Sequence, residues 1–199
     1  INLSFFGVII INRDPEAVGM GGGAEGLNVT IPTVMLSSVD GAVLTDEMVN
    51  GEVVVFMGNK QNLFANDGGS SESAVLSPRY GSVPVAMANN GYSFQAGIEV
   101  YNFGSDDNTF SVTASVDGPG GNIYSETVSS FVASGDTLAV FNGNPTEFPL
   151  VDPGSWDEGD YTLSYTIAID GQVDEADFDN VYTREFGVTS MLSLAGQEN

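Results

Sequence analysis

The chain has 199 residues, enough for one large domain or two small ones. It carries 27 acidic side chains against 4 basic ones (Arg13, Lys60, Arg79 and Arg184), a net charge of −23, and it has neither histidine nor cysteine. That balance argues against nucleic acid as a partner, which needs clustered Lys and Arg, and the two missing residue types exclude disulfides, thiol nucleophiles and a Ser/His/Asp triad.

The longest apolar run, FFGVIII at 5–11, is far short of the ~18 residues that would span a bilayer, so no membrane insertion is expected. The acidic surface suits solubility in salty surroundings and equally suits an ordinary acidic extracellular protein.

Taken in order, 6–11 is a continuous apolar run that fits a strand buried on both faces. Residues 12–28 form a polar, glycine-rich loop that includes GMGGG at 19–23. A second strand is predicted at 31–36, with Pro32 near its start. Ser37 or Ser38 can cap a helix with Asp40 in its first turn, and Val39, Val43, Leu44 and Met48 follow at roughly helical spacing. Asn50 and Gly51 stop the helix, and 53–57 reads as a third strand. Residues 58–77 are rich in Gly, Asn and Ser without periodicity and read as a linker.

From Pro78 the apolar period becomes two. A strand is predicted at 83–87, and Phe94, Ala96, Ile98 and Val100 alternate before Tyr101 and Phe103 take the other phase, which predicts a bulge near Val100. Phe110 to Val116 alternate up to the turn DGPGG at 117–121. Weaker strands follow at 123–131 and 137–141. The alternation through Tyr161, Leu163, Tyr165, Ile167 and Ile169 is the cleanest, and Tyr182, Arg184, Phe186 and Val188 form the last strand. About seven short strands separated by turns is the pattern of an immunoglobulin-like sandwich.

Several of these stretches carry a family resemblance. GVIIIN at 7–12, GMGG at 19–22, VTIP at 29–32 running into VML at 34–36, and SVDG at 38–41 together resemble the C-terminal half of a protease-associated (PA) domain. That resemblance implies an α+β module without catalytic residues, attached to secreted proteases and other extracellular proteins, with its N-terminal half upstream. EGDYTL at 158–163 and DNV at 179–181 leading to EFGVT at 185–189 resemble immunoglobulin-like or fibronectin-like domains of secreted bacterial proteins. In such sandwiches a tyrosine beside an acidic-glycine turn forms a corner, and Tyr161 holds that position. The pairing of the two modules resembles large secreted or surface proteins of Bacteroidetes-type bacteria.

The expected fold class is therefore mainly β: a partial α+β PA-like module at 1–57, a linker at 58–77, an antiparallel immunoglobulin-like β-sandwich at 78–190 and a tail at 191–199 towards a further module. The glycine loop lacks the Lys and Ser/Thr of a phosphate-binding P-loop and the spacing of a dinucleotide site, so it reads as a surface loop. Three acidic clusters offer the oxygen ligands that calcium takes. They are 106–108, Asp152 with 157–160, and the densest, whose carboxylates Asp174, Asp177 and Asp179 are spaced by two or three. Solvated turns between strands give the same composition. Trp156, the single tryptophan, reads as closing one end of the sandwich, with an exposed sugar-stacking ring as the alternative.

No catalytic residue and no cofactor beyond calcium is expected. The functional expectation is a non-catalytic interaction, adhesion or spacer segment of a large secreted or cell-surface protein. Its partners would be other modules of the same polypeptide or extracellular proteins. The alternatives are an accessory region of a secreted peptidase whose catalytic domain lies outside this chain, and a subunit of an extracellular filament or sheath.

Overall fold

The computed structural model describes residues 7–21, 23–53, 55 and 60–194, and it divides into two compact units, 1–59 and 60–199. In the first unit, β1 (Val8–Ile11) and β2 (Thr33–Leu36) pair in parallel, from Val8 opposite Thr33 to Ile11 opposite Leu36. The glycine-rich connection contains a 3₁₀ turn at Gly23–Asn28. Helix α1 (Ser38–Asn50) starts where the sequence places it, because the Ser37 hydroxyl accepts the Asp40 N–H at 3.0 Å. Gly41 is the buried residue of this helix, and a Cβ there would run into the Ile11 side chain. Val39, Val43, Met48 and Val49 on the helix and Ile10 and Ile11 on the strand stay exposed. The strand expected at 53–57 falls mostly outside the described residues; Val53 and Val55 are described, and neither lies in a strand.

The second unit is an immunoglobulin-like β-sandwich. Its small sheet has the order β3-β5-β8, from β3 (Gly68–Gly69), β5 (Ile98–Asn102) and β8 (Thr137–Val140). Its large sheet contains β4 (Tyr80–Pro84), β6 (Asn108–Gly118), β7 (Gly121–Val132), β9 (Gly159–Ile169), β10 (Val181–Thr189) and β11 (Ser193–Leu194). These run in the order β11-β4-β10-β9-β6-β7. All pairings in this unit are antiparallel except β4 with β10, which is parallel.

The period of two builds the core. Phe110, Val112, Ala114 and Val116 of β6 are each 0% exposed, and with Leu163 and Tyr165 of β9 they meet Ile98, Val100 and Val140 of the small sheet. Aromatic rings fill one end. Trp156 is 3% exposed, and its ring lies 5.3 Å from that of Tyr161 and 5.9 Å from that of Phe186, so it closes the sandwich. Its Nε1 donates to the Tyr92 carbonyl oxygen at 3.1 Å. Tyr161 forms the expected corner, its hydroxyl donating to the Asp157 carbonyl oxygen at 2.8 Å.

Three local expectations are corrected. The strand predicted at 83–87 is β4, ending at Pro84, and a short helix α2 (Val85–Ala88) follows. There is no bulge at Val100: the β5–β8 ladder runs unbroken from Ile98 opposite Val140 to Tyr101 opposite Thr137. Tyr101 and Phe103 instead occupy the outer, half-buried face, their rings stacked at 5.6 Å. The polar stretch read as a linker packs, from Lys60 onward, in the sandwich unit. Its polar residues make the hydrogen bonds that a short strand and two turns need: Asp67 is 0% exposed, β3 pairs with β5, and the Ser70 hydroxyl donates to the Glu99 carbonyl oxygen at 2.6 Å.

Candidate functional site: a caged lysine between two carboxylates

The densest gathering of ionisable groups lies where the stretch before β3 meets the loop between β9 and β10. The backbone sets it up. The Asp67 carbonyl oxygen accepts the N–H groups of Phe103 (2.8 Å) and Gly104 (2.9 Å), and the Ser70 N–H donates to the Asp179 carbonyl oxygen at 3.2 Å. These bonds hold the backbone of Asp67 and of Asp179, both of whose side chains reach Lys60. The Lys60 ammonium donates to Asp179 Oδ2 at 2.7 Å and to Asp67 Oδ1 at 2.9 Å. It also sits 4.1 Å from the centre of the Phe103 ring and 5.2 Å from that of Phe178.

The cluster is short of donors. Asp67 Oδ2, Asp179 Oδ1 and Asn180 Oδ1 are buried and have no hydrogen-bond partner. The Asp67 side chain is 0% exposed, that of Lys60 17% and that of Asp179 16%. Burial raises the Asp67 carboxyl above its ordinary pKa; Lys60 opposes the shift, and the charges of Asp174 and Asp179 reinforce it. Two carboxylates facing one ammonium in a dry setting leave one excess negative charge.

The three residues proposed for calcium have separate environments. Asp174 is committed to the fold: Oδ2 accepts the Gly68 N–H and Asn180 Nδ2, both at 3.0 Å, and Oδ1 accepts the Ala176 N–H at 2.9 Å. Asp179 faces Lys60, and Asp177 is exposed in the 3₁₀ turn Asp177–Asp179. Among the described residues no group of three or more Asp or Glu is placed to hold a metal ion. In the other two acidic stretches the carboxylates serve turns. Asp107 Oδ1 accepts the Ser134 N–H at 2.8 Å, and Asp152 Oδ1 accepts the Gly154 N–H at 3.1 Å.

Lys60 and Asp67, the centre of the cluster, were hidden in the apparent linker. The available signal was a lone lysine, one of four cations in the chain, seven residues before an Asp-Gly-Gly segment. In the first unit, a shallow apolar hollow is lined by Ile9, Leu44, Met48, Val53 and Val55, with Glu52 as its one carboxylate.

No family model and no curated protein matches the chain. Among solved structures it is similar to the CARDB domain of the PF1109 protein from Pyrococcus furiosus, crystallised in complex with di-metal ions. The identity is 18%, over 68% of this chain and 100% of that one, with a TM-score of 0.41. Two structures of beta-glucuronidases from Bacteroides uniformis match at 13% identity over 65% of this chain, with a TM-score of 0.33; the chain spans 13% of their length.

Proposed function

We propose that the chain is a non-catalytic interaction or adhesion segment of a larger secreted or cell-surface protein. The supporting observation is the outer face of the large sheet. Thr113 lies between Thr127 and Thr166, and Ser115 between Ser125 and Ser164, while Ser111 lies opposite Ser129. Hydroxyls pair across strands, Thr113 with Thr127 at 2.8 Å and Ser111 with Ser129 at 2.6 Å. None of these positions is charged, in a chain of net charge −23. Asp117 and Glu185 stand opposite Thr162 at one border of this field, and Asp170 accepts the Ser111 hydroxyl at the other. A neutral hydroxyl field is the part of such a surface that another acidic protein or an extracellular polymer approaches without charge repulsion.

The test is adhesion of the immobilised chain to extracellular polysaccharide and protein fractions, with a Thr113→Asp/Thr166→Asp variant as the control. Retention that survives both aspartates would remove this face from the reading. The filament alternative gains support from β7, which ends the large sheet with an edge that pairs with no strand among the described residues. Electron microscopy of concentrated protein separates the two, since dispersed particles speak against a filament. The PA-like reading of residues 1–57 and the peptidase-accessory reading rest on the resemblance, and sustained casein hydrolysis by the parent protein would favour the latter.

A further inference from the structure

We propose that Lys60 and Asp179 condense spontaneously to an intramolecular amide, with Asp67 carrying the proton, so that the folded chain is covalently closed between these two residues.

The geometry supplies each requirement. The amine and the carboxyl it would join are in contact, Lys60 Nζ lying 2.7 Å from Asp179 Oδ2, the oxygen that would depart as water and the atom bonded to the carbon under attack. The pair is also held there. A Cβ on Gly69 would come within 2.6 Å of both Asp179 carboxylate oxygens and Cγ, so only glycine lets the strand press on that carboxyl. The Phe103 and Phe178 rings flank the amine, and side-chain exposure of 16–17% limits water at the reacting atoms. Asp67, fully buried and touching the same amine at 2.9 Å, is placed to take its proton.

The step balances without any co-reactant. The Lys60 ammonium passes one proton to Asp67 and becomes a neutral amine. Its lone pair attacks Asp179 Cγ, the second proton leaves nitrogen, and the Cγ–Oδ2 bond breaks with both protons on the departing oxygen. An ammonium and a carboxylate thus become one amide and one water, with no change in oxidation state. Condensation removes the ammonium and the Asp179 charge together, and Asp67, having relayed its proton to the departing oxygen, ends as it began, a carboxylate. Asp179 rather than Asp67 is the acceptor because it is the nearer of the two, and because Asp67 is the deeper and is suited to hold a proton. The bond would join residues 119 positions apart, from before the first strand of the small sheet to the loop before β10.

The experiment is intact-mass spectrometry of the purified chain, followed by peptide mapping. The expected mass is that of the sequence less one water, with a branched peptide joining Lys60 to Asp179 and loss of tryptic cleavage after Lys60. Lys60→Arg and Asp67→Asn should each restore the full mass while circular dichroism keeps the β signature; Asp179→Ala is the companion if either variant misfolds. A folded wild-type chain at full mass after prolonged incubation at neutral pH would overturn the proposal. So would a water loss mapped to a succinimide at Asp67-Gly68, which has the same mass but joins no two peptides.

Discussion

Removing a single oxygen, by Tyr165→Phe, tests how the two sheets of the sandwich are joined. Tyr165 points inward from β9 at 0% exposure, and its hydroxyl is the polar link to the far side. It accepts the Gly97 N–H at 3.0 Å and donates to the Leu76 carbonyl oxygen at 3.1 Å. Gly97 is buried, so the variant strands a backbone N–H in an apolar setting, where an unsatisfied group costs ~1–3 kcal/mol. Leu76 is 40% exposed, so its carbonyl can turn to water and adds little. The expected loss is about 2–3 kcal/mol, which lowers Tm by on the order of 10 °C for a unit of this size. Chemical denaturation with circular dichroism and intrinsic fluorescence reads it. The comparison that matters is Tyr161→Phe, whose partner is the Asp157 carbonyl oxygen on an exposed turn; that change should cost about 1 kcal/mol. Equal losses for the two variants, or none for Tyr165→Phe, would refute the claim that burial of the orphaned partner sets the cost.

The same burial sets the alkaline limit. Tyr92, Tyr124 and Tyr165 are each pushed up to about 12, mainly by desolvation. Because the folded pKa lies above the unfolded value, this stabilisation is full below about pH 10 and is lost as pH rises through about 12. Ultraviolet titration of the phenolates should therefore show a late-ionising group, and an early single transition in the native protein would contradict it. Trp156→Ala should cost ~3–5 kcal/mol, since it empties the centre of the ring cluster and releases the Tyr92 carbonyl; denaturation midpoints measure it. Gly69→Ala should be far more damaging than Gly120→Ala in the same assay, because a Cβ at Gly69 overlaps the Asp179 carboxyl and one at Gly120 meets nothing nearer than 3.9 Å. Added calcium should leave Tm unmoved, since Lys60 supplies the cation between Asp67 and Asp179 and Asp174 is satisfied by protein donors; a clear rise would restore a metal reading.

What could be read without coordinates was whatever periodicity encodes. A strand with one buried face must alternate, so β6, β9 and β10 were visible residue by residue, while the corner at Tyr161 came from the resemblance to immunoglobulin-like sandwiches. The Ser37 cap was visible for the same reason, since a helix start needs a local acceptor. Tyr101 and Phe103 misled because a large aromatic ring was equated with the core. In the fold they lie on the outer face, where Phe103 shields the Lys60 ammonium, and ring size alone does not distinguish a core position from a lid.

The candidate site was illegible for a different reason. A polar, glycine-rich stretch looks like a linker when its hydrogen-bond partners are distant in sequence. Lys60 finds Asp179 across 119 positions, Gly68 N–H finds Asp174 across 106, and Asn66 N–H finds Glu175 across 109. Each partner supplies only part of the pattern, and β3 is too short to show alternation. The chain's charge sharpens the point. With 27 acids and 4 bases, a random surface lysine would find a carboxylate in any direction. Lys60 is instead held between a fully buried Asp67 and Asp179, beneath an aromatic ring, where an exposed ion pair would contribute little. Desolvating an ammonium and two carboxylates together is costly in the absence of a compensating bond, and that cost is the physical reason to look for covalent chemistry at Lys60 rather than for an ordinary salt bridge.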